Sequence, residues 1–249
     1  MSEVESRKTV NYRDRFYGKY VSTHASSIHG VQSKSVIEGQ FSTWSSYFGK
    51  FLPSDFDAQI LDIGCGDGGF VYWLTSSGYK NVQGIDYSHE QIEVANSYGI
   101  KNVRQADAFA FLPGNVGKFD IIFASDVLEH IPKECTLKFI EMVGLAVKPG
   151  GVFIAQTVNA ENLLWGRLRH GDFTHEIAFT RTSVKQVVSL AGFKFIDIYP
   201  QRPVIHGLKS FIRYCLWRLF ELCFRFYLAV STGSPDGIFT QNIIVAARK

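Results

Sequence analysis

The run Leu61-Asp62-Ile63-Gly64-Cys65-Gly66-Asp67-Gly68-Gly69 lies between an apolar stretch and a helical one, and Gly64, Gly66 and Gly69 satisfy the spacing GxGxxG. Glycine at such a junction lets the chain turn sharply and lets a ligand rest against main-chain amides at the start of a helix. Dinucleotide sites use the same spacing, so a nicotinamide-type cofactor and dehydrogenase chemistry have to be weighed. The neighbouring acids point elsewhere. Asp62 stands two residues before Gly64, where it would repel a pyrophosphate and attract a ligand carrying an ammonium and a sulfonium. Asp86 closes the apolar run in GIDYS, about 20 residues beyond the loop, a position from which a carboxylate accepts both hydroxyls of a ribose. Asp107, in RQADAF, could meet an adenine amino group. Three acids at three successive strand ends suit a cationic nucleoside.

Two further stretches concentrate reactive groups. Ser125-Asp126-Val127-Leu128-Glu129-His130 offers two carboxylates and an imidazole. Oxygen ligands from Asp126 and Glu129 beside His130 would suit Mg2+, yet Glu129 and His130 are adjacent and need not converge; the plain alternative is that they support a wall of the site. The segment from Trp165 to Phe179 carries Arg167, Arg169, His170, Asp172, His175 and Glu176. A long loop with this content is more often functional than connective. His175, with Asp172 near it, and His130 are the candidate general bases, and either histidine could instead be structural.

The elements that must position these groups follow from alternation. From Gln59 the chain alternates short apolar runs (QILDIG, NVQGID, NVRQAD, FDIIFAS, VFIAQTV) with helical stretches, which predicts a parallel sheet wound on both faces. The helix RTSVKQVVSLAG, the strand FKFIDIYP, an apolar segment at 208–230 and a last strand FTQNIIVAAR complete it. At 249 residues the chain fits one large domain with appendages, able to bury roughly three-quarters of its unfolded surface. Its 46% hydrophobic and 20% charged shares exclude a disordered chain, and its net charge of +3 does not demand nucleic acid. Cys65, Cys135, Cys215 and Cys223 form no CxxC pair, which with an N-terminus lacking a secretory pattern predicts a reducing, cytoplasmic setting.

Together ILDIGCGDGGF, GIDYS, RQADAF, FDIIFASDVLEHIP and LAVKPGGVF, in this order, resemble the class I S-adenosylmethionine-dependent methyltransferases over roughly residues 57–200 and the final strand. The resemblance implies an α/β, Rossmann-like doubly wound seven-stranded sheet, mostly parallel, with an antiparallel last strand inserted beside the one before it. It implies Asp62, Gly64, Cys65 and Gly66 around the methionine moiety, Asp86 on the ribose with Tyr87 after it, Asp107 and Ala108 beside the adenine, and Ser125 at the end of the fourth strand. Asp126 to His130 resembles the ExxEH pattern of methyltransferases acting on ubiquinone precursors and RNA 3′ ends, with Asp126 as a shorter first acid. HGDFTHEIAFT, YVSTH and GIFTQNIIVAARK look like a bacterial subgroup associated with surface-polysaccharide and O-antigen biosynthesis, implying a sugar hydroxyl as methyl acceptor, free, nucleotide-linked or lipid-linked. Arg167, Arg169 and His170 would then contact the substrate, the arginines through a phosphate.

The resemblance leaves two additions. Residues 1–52 form a helical N-terminal lid in this reading, with Tyr20 and His24 as its substrate contacts, ahead of a 53–249 methyltransferase domain whose acceptor loop is 158–180; a passive cap is the alternative. The insertion 203–234 contains a broadly apolar helix with a basic stripe. Its charges argue against a membrane span, leaving two readings of 208–230: peripheral contact with an anionic membrane, or packing on the sheet or in an oligomer. The leading expectation is an O-methyltransferase acting on a sugar hydroxyl of a surface-polysaccharide precursor; the alternatives are a metal-assisted O-methyltransferase of a phenolic, quinone-type molecule and an inactive assembly factor retaining the fold.

Overall fold

The computed structural model describes residues 12–25 and 33–249; the side chains of residues 24 and 25 lie outside that description. In chain order the helices are α1 (Tyr12–Tyr17), α2 (Lys34–Gly39), α3 (Phe41–Phe48), α4 (Gly69–Ser76), α5 (His89–Ser97), α6 (Ala108–Phe111), α7 (Lys133–Ala146), α8 (Trp165–Arg169), α9 (Arg181–Leu190) and α10 (Leu208–Thr232). The strands are β1 (Gln59–Ile63), β2 (Asn81–Asp86), β3 (Val103–Gln105), β4 (Phe119–Ser125), β5 (Val147–Val158), β6 (Phe195–Pro200) and β7 (Asn242–Arg248). They form one sheet in the order β3-β2-β1-β4-β5-β7-β6. β7 runs antiparallel between β5 and β6, and the pairs among β1 to β5 are parallel. This is the expected Rossmann-like sheet with its inserted last strand.

Side chains alternate across the strands, so the sheet has two apolar faces. Leu61, Ile63, Ile122 and Ala124 pack with Phe139 and Ile140 of α7 and Val184 and Val188 of α9 on one side. Ile60, Ile121 and Phe123 pack with Val71 and Leu74 of α4 and Ile92 of α5 on the other. The order reverses at β1 and β4, whose carboxyl ends diverge toward opposite neighbours and open the crevice in which such sheets hold ligands.

The N-terminal 52 residues divide in a way the single expected lid does not anticipate. Residues 34–51 belong to the core: Phe48 is buried, with its ring edge-on to Phe70 at 5.3 Å and Phe123 at 5.9 Å. Among the described residues of this segment, those that line the crevice come from 12–25: Arg13, Asp14, Tyr17 and Tyr20. Ordinary core packing of three aromatic rings explains why the second helical pair cannot open as a flap.

Candidate active site

A cavity of about 470 Å³ opens at the carboxyl ends of β1, β2 and β4 and reaches the lid segment. The glycine loop forms one wall. Gly64 has φ +70°, and a Cβ on it would come within 2.5 Å of the Val127 side chain, so this position takes only glycine without rearrangement. Its amide and that of Cys65 both donate to Ile85 O, at 2.8 and 3.0 Å, which ties the turn to β2.

Asp86 is the anchor of the wall. Its Oδ2 accepts the Gly66 amide at 2.9 Å and its Oδ1 accepts the Ser88 amide at 2.7 Å. Each carboxylate oxygen carries a second acceptor site, so the pair can still take two ribose hydroxyls. Burial pushes the Asp86 carboxyl upward, and the two amide bonds work against that. Asp107 caps α6, accepting the Phe109 amide at 2.9 Å, and with Ala108 and Phe109 it borders the cavity where an adenine would lie. Gly64, Gly66, Asp86, Tyr87, Asp107, Ala108 and Ser125 all line this cavity, as the motifs predict. The size, the acceptor-rich floor and the apolar flank at Ala108 and Phe109 fit the nucleoside half of S-adenosylmethionine.

Two expected cofactor residues do not line it. Asp62 shares its face of β1 with Ile60 and is buried beneath the loop; burial first and the charge of Asp86 second raise its carboxyl well above the usual range. The Cys65 side chain turns into the core against β2, where a Cβ on Gly84 would meet its Sγ at 2.8 Å. Strand alternation in the first case and the tight turn in the second take both side chains away from the ligand.

The lid segment closes the cavity from above with Arg13, Asp14, Tyr17 and Tyr20. Arg13 donates to the His130 carbonyl, Tyr12 donates to Glu176, and Tyr87 donates to Asp14 at 2.7 Å. The last bond, with burial, pushes the Tyr87 phenol up to about 12. The amides of Val21 and Ser22 both donate to Glu90 Oε2, at 2.8 and 3.2 Å. Tyr20 lines the cavity and donates at 2.8 Å to Asp172 Oδ2; the His24 side chain falls outside the described residues.

The loop 158–180 contributes a chain of hydrogen bonds that reaches His130. Thr174 Oγ1 donates to Asp172 Oδ1 at 2.7 Å, and the Thr174 amide donates to the same oxygen at 2.8 Å. With its proton committed, Thr174 Oγ1 must accept at 2.9 Å from His130 Nδ1. This fixes the tautomer of His130 and leaves Nε2 carrying the lone pair. His130 lines the cavity and is kept neutral, its pKa lowered to about 3 by burial and then by His175 beside it. His175 does not line the cavity. Its Nδ1 donates to Leu168 O at 2.9 Å and its ring lies edge-on to His130, 4.6 Å between centroids. The expected base thus becomes a neighbour of the base-competent ring. Burial of the His175 ring also lowers its pKa.

The other loop expectations separate from the site. Arg169 donates to Glu176 O at 2.6 Å, Arg167 and His170 are exposed on and just after the short helix α8, and none of the three lines the cavity. Glu129 points into the core, accepting from Thr157 Oγ1 at 2.8 Å, while Asp126, in the left-handed region at φ 55°, accepts from Gln156 Nε2 at 2.8 Å. Asp126, Glu129 and His130 do not converge as an oxygen-rich Mg2+ site. The group among the described residues whose ligand atoms do approach, within 4.8 Å of one another, is His130, Asp172 and His175. Two imidazoles suit magnesium poorly, and the Asp172 oxygens already accept the three bonds described above.

Thr174, Arg13 and Asp14 are the residues the sequence reading misses. Their partners lie from 44 to 117 positions away, apart from the local Thr174–Asp172 bond. The only local signal is Asp172-x-Thr174, an Asx-type turn in which a carboxylate accepts from the amide two residues on.

Comparison with known proteins agrees with this geometry. Curated relatives include the ubiquinone biosynthesis O-methyltransferase of Colwellia psychrerythraea, 33% identical over 109 residues, covering 42% of this chain and 43% of that protein. The enzyme of the same name from Xylella fastidiosa is 28% identical over 166 residues, covering 64% and 65%. The chain thus spans about half to two-thirds of these relatives. Among solved structures, a SAM-dependent methyltransferase from Archaeoglobus fulgidus shares the fold with TM-score 0.63 at 18% identity, over 96% of this chain and 100% of that one. Phosphoethanolamine N-methyltransferase 2 of Haemonchus contortus, solved with S-adenosyl-L-methionine, has TM-score 0.65 at 19% identity, over 94% and 60%. A family model described as a methyltransferase domain matches residues 37–198, from within α2 into β6, and the chain belongs to that methyltransferase-domain family.

Proposed function

We propose that the protein is an S-adenosylmethionine-dependent O-methyltransferase whose acceptor is a phenolic, quinone-type molecule and whose general base is His130. The observation that carries the reading is the relay Asp172–Thr174–His130, which orients Nε2 as an acceptor in a cavity shaped for the cofactor. Methyl transfer from a sulfonium is an in-line displacement, so the site's main task is alignment, with removal of the acceptor proton as the second. Bound in the cavity, the cofactor supplies the electrophilic methyl group. Asp86 holds the ribose, Ala108 and Phe109 flank the adenine, the lid with Tyr17 and Tyr20 keeps water out, and His130 Nε2 receives the hydroxyl proton.

The acceptor class follows from base strength and surroundings. A ring held neutral chiefly by burial is available throughout the neutral range but is a weak base. Such a base suits a phenol, with a pKa of about 10, better than an alkanol. The names of the curated relatives support the same class. The sugar acceptor loses the support of Arg167 and Arg169, which stand away from the cavity as phosphate ligands. Mg2+ enters no step of this reading.

The test uses labelled S-adenosylmethionine with a catechol on one side and nucleotide sugars on the other. The catechol is expected to be methylated, and His130→Gln is expected to lower kcat by about 10²- to 10⁴-fold with cofactor affinity retained. Methylation of the sugars alone would overturn the acceptor class. Absence of S-adenosylmethionine binding would overturn the enzymatic reading and favour an inactive scaffold.

A further inference from the structure

Helix α10 turns its single acid toward the protein and leaves a long apolar face outside. Among its described residues only Glu221 is buried, and it is also the one acid of the helix. Arg202 Nη2 donates to Glu221 Oε1 at 2.8 Å, Arg218 Nη1 to Oε2 at 3.0 Å and Arg225 Nη2 to Oε1 at 3.2 Å. Burial works to raise the Glu221 carboxyl, yet the arginines outweigh it and hold the group below its usual range. Glu221 therefore marks the side that faces the protein, together with the half-buried Tyr214, Trp217, Phe224 and Leu228. At about 100° per residue, Leu208, Ile212, Leu216, Leu219, Phe226 and Val230 fall on the opposite side. All six are exposed, Leu208 to 76%, Phe226 to 70% and Val230 to 72%. A contiguous apolar face on a 25-residue helix, about 37 Å long, is far more than the scattered exposed side chains of an ordinary surface.

The charges around this face select its occupant. With Glu221 turned inward, Lys209 and Arg213 border the stripe on one side and Arg218 on the other, with no acid on the outward half. A second copy packing through the same stripe would set these cations against their own kind in a two-fold contact. An anionic surface would meet them with opposite charge. Charges along the helix also keep it from crossing: among the described residues no helix is long and apolar enough to span a membrane. The placement is consistent as well. The Phe224 ring packs at a tilt against Phe239, Arg225 donates to the Pro235 and Gly237 carbonyls, and Asn162 donates to Phe239 O, so the helix is fastened to the carboxyl edge of the sheet where the 158–180 loop begins. That loop carries Leu163 and Leu164, exposed to 61% and 62%.

We propose that the outward face of α10 is a docking surface for an anionic lipid bilayer, the helix lying in the headgroup region with its apolar stripe toward the acyl chains. The Glu221 clamp is the device that makes this possible, since it spends the helix's single acid on the protein side and leaves cations to flank the apolar stripe. Docking so placed sets the carboxyl edge of the sheet against the membrane, where an apolar acceptor would be found.

Flotation of the full chain with phosphatidylcholine vesicles, with and without phosphatidylglycerol, tests it. The protein is expected to float with the phosphatidylglycerol vesicles severalfold more than with phosphatidylcholine alone. Leu219→Glu/Phe226→Glu is expected to lose binding by more than about tenfold. Lys209→Glu/Arg213→Glu should lose only the phosphatidylglycerol-dependent part. All four positions are exposed, so an unchanged thermal midpoint checks that the variants are folded. Failure of the wild type to float, or a folded Leu219→Glu/Phe226→Glu protein that floats like wild type, overturns the proposal. A stable dimer in sedimentation equilibrium that this variant dissociates, without vesicle binding, gives the face to a second copy and overturns it equally.

Discussion

Asp86 does two jobs with one carboxylate. Its oxygens hold the Gly66 and Ser88 amides, which sets the shape of the glycine loop, and their remaining lone pairs face the cavity. Substituting it therefore removes ligand acceptors and loosens the wall at once. Hydrogen bonds to a charged group contribute about 1.5–3 kcal/mol each, so Asp86→Ala is expected to weaken S-adenosylhomocysteine binding by roughly 10²-fold or more in calorimetry. Asp86→Asn, which keeps one acceptor oxygen, should lose less. Wild-type affinity in the alanine variant would remove Asp86 from the ribose. The place of Asp86 at the cavity wall was legible because an acid about 20 residues past a glycine turn is a local pattern. Asp62 misled for a reason at the same scale: strand alternation, not proximity to Gly64, sets the direction of its side chain, and that direction is into the core.

At the scale of elements, α10 shows how a helical wheel can find a stripe and still leave its direction open. The wheel separates apolar from basic positions, but both an inward and an outward apolar face satisfy it. What decides is a tertiary ion cluster, and one of its members, Arg202, lies 19 residues from Glu221 and outside the helix. Removing the carboxylate should leave three guanidinium groups crowded without their counter-charge. A fully buried pair broken in this way costs about 3–5 kcal/mol, and the partial exposure of Arg202, Arg218 and Arg225 reduces that through solvent screening. Glu221→Ala is accordingly expected to destabilise the protein by roughly 1–3 kcal/mol in urea titrations and to expose the insertion to protease. Glu221→Gln, retaining acceptor geometry on one atom, should fall between. Unchanged stability in both would mean that the apolar contacts of Phe224 and Phe239 alone hold the helix. The sheet, by contrast, was legible nearly strand by strand, because short apolar runs punctuated by glycine and acid signals carry their own boundaries. The lid was not: nothing in residues 1–52 reveals that Phe48 joins the core while Tyr17 and Tyr20 cover a cavity.

At the scale of the molecule, the cavity joins parts of the chain that have little else in common. Its walls come from the ends of β1, β2 and β4, from the segment after β4, and from the lid, which is fastened by polar contacts to Glu90, Tyr87, His130 and Asp172 and by ring contacts to Phe173 and Tyr87. A ligand filling this space stabilises every wall against unfolding together, and the lid most of all, since its own buried area is small: no residue of α1 is buried. A ligand present at one hundred times its Kd adds about 2.7 kcal/mol to stability. For a chain of this length each kcal/mol moves the thermal midpoint by about 2–4 °C, so S-adenosylhomocysteine is expected to raise it by roughly 5–10 °C. The same ligand should slow tryptic cutting after Arg13, Arg15 and Lys19, which lie in the segment over the cavity. NAD at equal concentration is expected to do neither, since the chain belongs to a methyltransferase-domain family. A thermal shift without protection of the lid would mean that the segment stands clear of the ligand; protection by NAD in preference to S-adenosylhomocysteine would return the glycine loop to dinucleotide chemistry.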